Sequence, residues 1–117
     1  MPNRRYLCIH RRAPAERQQF SPAPSAAQMQ EMRAVFNRWK EKYDSNIVDM
    51  GGPLKPGGKI LSASGVTDGP FTEAKEIVGG YMLVSAESLD HAIEIVRESP
   101  ALVVPGASVE IREVAGA

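Results

Sequence analysis

Five large apolar side chains, Met29, Met32, Phe36, Trp39 and Tyr43, follow one another at spacings of three and four residues. At 3.6 residues per turn that places all five on one stripe of a helix. Glu31, Arg33, Asn37, Arg38, Lys40 and Glu41 fall outside the stripe. Ser25 stands ahead of it as an N-cap, with Gln28 three residues on as a capping-box partner. The spacing predicts an amphipathic helix over 25–44. Most of the stability of such a helix comes from the surface its stripe covers, so the rest of the chain must supply that surface.

The surface reads as a sheet. Arg5 to His10 is a short strand bounded by charge. Residues 11–24 carry Pro14, Pro22 and Pro24 and read as a long loop. Ile47 to Met50 is a strand, followed by a turn-rich Gly51–Gly58 segment. Lys59 to Ser62, with Val66 and Thr67 opposite, forms a small hairpin, and Asp68-Gly69-Pro70 is a turn. Ile77 to Ala86 is a central strand in which Gly79-Gly80 marks a bulge or a close backbone approach. Ser88 caps a second helix, with Leu89, Ala92, Ile93 and Val96 as its buried stripe and Pro100 as its end. Val109 and Ile111 alternate with polar residues as a closing strand.

The order is βαββαβ with an inserted hairpin over a single domain, 1–117. It predicts an α+β, ferredoxin-like sandwich with both helices on one face of an antiparallel sheet. The other face has no helix to cover it. With Leu7 and Ile9 turned toward the helices, Tyr6, Cys8 and His10 would lie on the bare face. A second copy packed on that face gives a homodimer in the form of an α+β barrel.

Composition narrows the partners. The chain has 14 basic and 14 acidic side chains and no formal net charge. Nucleic acid is therefore not an expected partner, because phosphate binding draws on a basic excess. Cys8 is the only cysteine, and the two histidines, His10 and His91, lie far apart in sequence. No metal centre is expected from them. No Gly-rich phosphate loop or Ser-His-Asp ordering is present, and no cofactor is expected. No apolar run approaches the ~20 residues of a membrane span, and Tyr6 to Ile9 is too short for a secretory core. The expected setting is cytoplasmic, with no membrane partner.

His10 ends its strand beside the long loop and is a candidate acid, base or ligand contact. Asp68 is a second catalytic candidate, although an Asp before Gly also serves by bonding the backbone of its own turn. In the expected order the hairpin lies at the edge where the first strand begins, which separates Asp68 from His10 within one subunit. Arg12 belongs to a basic cluster with Arg4, Arg5, Arg11 and Arg17 that could guide an anionic ligand, or could be a solvated loop. Lys75 could bind a polar substrate or sit in a solvated charge run, and Tyr81 could touch a ligand or pack in the core. Cys8 is read as a small apolar filler rather than a nucleophile.

Thr67-Asp68-Gly69-Pro70-Phe71-Thr72-Glu73-Ala74-Lys75-Glu76, followed by Gly79-Gly80-Tyr81, resembles the signature of the DGPF group within the YCII-related family. The resemblance implies a ferredoxin-like fold, a dimeric α+β barrel and small-molecule chemistry of unassigned type in a cleft. Related domains attached to sigma-factor-like regions imply a regulatory or accessory role as the alternative. Some of the family carry a His-Asp pair, with the histidine early in the first helix and the aspartate before a Pro after the second. Here the first helix has no histidine, and Ser99 precedes Pro100. The expectation is a homodimer whose interface cavity binds a small polar or anionic molecule, with or without catalysis.

Overall fold

The computed structural model describes residues 3–12, 25–55, 57–68, 77–102 and 106–116. Strand β1 is Arg4–Arg12 and helix α1 is Ala26–Lys42. A 3-10 turn at Asp44–Asn46 leads into β2, Ile47–Pro53. Strands β3 (Lys59–Ser62) and β4 (Gly65–Asp68) precede β5, Ile77–Ala86. Helix α2 is Leu89–Arg97, a second 3-10 turn spans Pro100–Leu102, and β6 is Ser108–Glu113. The main sheet has the order β2-β5-β1-β6 with every pairing antiparallel, and β3-β4 forms a separate ribbon. Residues 13–24 of the expected loop lie outside the described residues.

The helix starts are those expected from the sequence. The Ser25 hydroxyl accepts from the Gln28 N–H at 3.1 Å, and Gln28 Oε1 accepts from the Ser25 N–H at 2.8 Å. Ser88 caps α2 through the His91 N–H at 3.1 Å. Trp39 ties the two helices together by donating from Nε1 to the Ile95 carbonyl at 2.9 Å. The buried stripe of α2 is Ala92, Ile95 and Val96, while Leu89 stays 48% exposed. It continues into buried Ser99, and Ile93 is half-buried.

Two strands run further than expected. β1 continues through Arg11 and Arg12 because both pair with β5. β2 continues through Gly51, Gly52 and Pro53. It is an edge strand, where a proline costs no ladder bond. Gly51 takes φ +59 there, and its N–H bonds Asp49 Oδ1 at 2.8 Å.

The faces of the sheet are the reverse of the expectation. Tyr6 and Cys8 are 1% and 0% exposed and share the core with Trp39, Met82, Val84, Ile95 and Val96. The register explains the reversal. Tyr6 and Cys8 sit opposite Val84 and Met82 on β5, and Cys8 sits opposite Ile111 on β6. Leu7 and Ile9 sit opposite Arg112 and Glu110, so turning them inward would bury those charges. The helix-free face therefore carries Leu7, Ile9, Tyr81 and Leu83.

The placement of the hairpin is corrected as well. His10 and Pro53 both pair with Gly80, so β2 is left and β5 is entered at the end of the sheet where β1 finishes. The connection that carries β3 and β4 thus starts and returns beside His10. Asp68 closes β4, its backbone opposite Lys59, and Gly69 and Pro70 lie outside the described residues.

Candidate functional site

The core side of β1 alternates Tyr6, Cys8, His10. The first two are packed, and the third is where the packing opens. The C-terminal half of the α1 stripe, Phe36 to Tyr43, lies against the core, but Met32 and Met29 remain 45% and 51% exposed. Between this end of α1 and the sheet is a cavity of about 430 Å³. Its walls are Met32, Phe36, Trp39, Met50 and Met82, with His10 among them. Arg33 and the Ser99–Ala101 turn complete the lining.

The imidazole of His10 is the polar group set in this apolar wall. Its Nε2 is buried and has no hydrogen-bond partner among the described residues. Burial lowers its pKa below the ordinary 6.5, so the ring is neutral at pH 7. A neutral imidazole can donate from one nitrogen and accept at the other. An orphaned buried nitrogen costs stability, and such groups are retained mainly where they serve a function.

A second recess, of about 220 Å³, adjoins the first, and both are lined by His10 and Ala101. Arg11, Arg12, Gly79 and Ser108 also line it. The ladder explains its shape. His10 pairs with Gly80 but Arg11 pairs with Val78, so Gly79 is one residue too many on β5. A side chain at Gly79 would put its Cβ 3.1 Å from Arg12 Nε and 3.3 Å from Arg12 Cδ. The missing side chain lets the arginine lie over the bulge.

Of the basic cluster, Arg4 pairs with Glu113 at 3.3 Å and Arg11 with Glu110 at 2.8 Å. Arg17 lies outside the described residues. Arg12 makes no ion pair among the described residues.

Cys8 has no exposed surface, and burial raises its thiol to about 11. It is a filler of the core and holds no thiolate at neutral pH. Tyr81 pairs with Ile9 on the helix-free face, 41% exposed, with its ring over Gly51. It lines neither cavity. Lys75 lies outside the described residues, and of Asp68 only the backbone is described. The structure thus brings together His10 and Arg12 of the predicted residues.

The wall formed by Met32, Phe36, Trp39, Met50 and Met82 was not anticipated as a site. The available signal was the length of the α1 stripe together with the methionines, which are flexible enough to line adaptable surfaces. Among the described residues no three metal-ligating side chains cluster, and no helix is long and apolar enough to cross a membrane. The family model of the YCII-related domain matches residues 5–115. No curated protein matches the chain.

Proposed function

The chain belongs to the YCII-related domain family, and on that footing we propose that it binds a small molecule in the cavity between α1 and the sheet, with the neutral imidazole of His10 as its polar contact. The observation that carries this reading is the orphaned imidazole nitrogen in the wall of a cavity lined mainly by Met, Phe and Trp side chains. At about 430 Å³ the cavity is within the range of small-molecule sites, roughly 300–1,000 Å³. Ser99 stands where some of the family place an acid, but its hydroxyl donates to the Val96 carbonyl at 2.6 Å and accepts from the Ala101 N–H at 3.3 Å. It is thus engaged by backbone, which leaves His10 as the candidate for proton transfer.

Trp39 is the chain's only tryptophan and lines the cavity, so its emission reports occupancy directly. Titration with 1-octanol should shift that emission saturably, and Ala101→Phe, which fills the cavity, should abolish the shift. An emission unmoved by any apolar probe at millimolar concentration would leave the non-catalytic interaction module as the better account.

The finer fold and assembly belong to the same proposal. The strand order β2-β5-β1-β6 supports a ferredoxin-like arrangement. A second copy covers the helix-free face, where Leu7, Ile9 and Leu83 are only partly buried and Val48 and Tyr81 are 47% and 41% exposed. Arg11, Glu110 and Arg112 on that face supply both signs of charge, which suits a self-complementary two-fold contact. Ile9→Lys should turn a sedimenting dimer into a folded monomer. A wild-type monomer at micromolar concentration would end this part of the reading.

A further inference from the structure

We infer that the ligand is an amphiphilic carboxylate, its apolar body in the α1 cavity and its anionic head in the adjoining recess on Arg12. The inference deepens the proposed function and rests on that cavity being a binding site.

Three observations converge on it. The two cavities are both lined by His10 and Ala101, so one elongated molecule can occupy both. Their walls differ in chemistry. The larger is mainly Met, Phe and Trp with Arg33 in its lining, whereas the smaller is lined by Arg11, Arg12, Gly79 and Ser108 and offers less apolar surface. Among the described lining residues of either there is no carboxylate to compete for the cation.

The third observation is where Arg12 lies and what it lacks. Arg4 and Arg11 are neutralised by Glu113 and Glu110. Arg12 is not neutralised among the described residues, and it lies over a bulge that only a side chain as small as glycine's admits without displacing it. A planar guanidinium with free N–H groups matches a carboxylate bidentately. Arg33, in the wall of the larger cavity, is the competing cation and gives the inference its control.

The test compares octanoate with octanamide, equal in length and differing in charge, by Trp39 emission and by calorimetry. Octanoate should bind wild type about tenfold more tightly than octanamide, the increment of one charge-assisted contact. Arg12→Gln should bring the two ligands to equal affinity without weakening octanamide, and Arg33→Gln should leave the preference in place. Loss of the preference in Arg33→Gln instead, or no preference in wild type, would overturn the head-group assignment while leaving the cavity as a site. Failure of both ligands to move Trp39 would refute the cavity reading itself.

Discussion

Cys8→Asp should leave no folded protein at 25 °C. Cys8 has no exposed surface and lies among Tyr6, Met82, Val84 and Ile95. A carboxylate there has no cation to pair with. An unpaired buried charge costs several kcal/mol, against a total stability of roughly 5–15 kcal/mol for a domain of this kind. Cys8→Ala, which keeps the site apolar, should fold. Far-UV circular dichroism with the emission of Trp39 distinguishes the two. A folded Cys8→Asp chain with only its association weakened would put Cys8 on the helix-free face and reverse the sheet. The wild-type thiol gives a matching pH dependence. Its pKa of about 11 in the fold exceeds the reference 9.0, so its contribution is intact below pH 9 and is lost as pH rises toward 11.

Gly51→Ala should cost roughly 3 kcal/mol or more. Two effects add. Gly51 has φ +59, where an L side chain is strained by ~1–2 kcal/mol. Its Cβ would also overlap the Tyr81 carbonyl oxygen and lie 2.8 Å from the carbonyl carbon. Backbone cannot give way as a flexible side chain does, so β2 would have to draw away from β5. Gly57 separates the two effects, because it has φ +93 but nothing within 4 Å of a built Cβ. Gly57→Ala should therefore lose only about 1 kcal/mol. Urea denaturation of the two variants measures the difference. Equal losses would mean that β2 does not approach Tyr81 closely.

The helix stripe, the Ser25 and Ser88 caps, the hairpin and the order of the strands could be read from the sequence because each is written in local spacing. The orientation of β1 could not. Taken alone, Leu7 and Ile9 look like the buried pair, and Tyr6, Cys8 and His10 the outer set. The decision belongs to β6, whose Glu110 and Arg112 stand beside Ile9 and Leu7, and that register is not local information. His10 was legible as a candidate because a strand-end histidine beside a long connection is conspicuous. The cavity was not, since a stripe of Met32, Phe36 and Trp39 has the same spacing whether it meets a wall or leaves a gap. Arg12 was legible as a ligand-binding candidate within a cluster of five cations. Its place in the recess beside Gly79, together with the pairing of Arg4 and Arg11, is what the fold adds.

The bulge at Gly79 bears on how such a site can be inherited. The recess depends on a difference in length between two paired strands, one extra residue on β5, and an exchange of side chains does not alter that difference. Deleting the residue would restore an even ladder, with Val78 and Ile77 still opposite Arg11 and Arg12, and would remove the bulge that shapes the recess. Substitutions at Met32, Phe36 or Met50 can reshape what the larger cavity admits while the Arg12 end stays as it is. Within such a lineage the body of the ligand is free to drift by point mutation, whereas the bulge that shapes the head-group recess is gained or lost only by insertion or deletion.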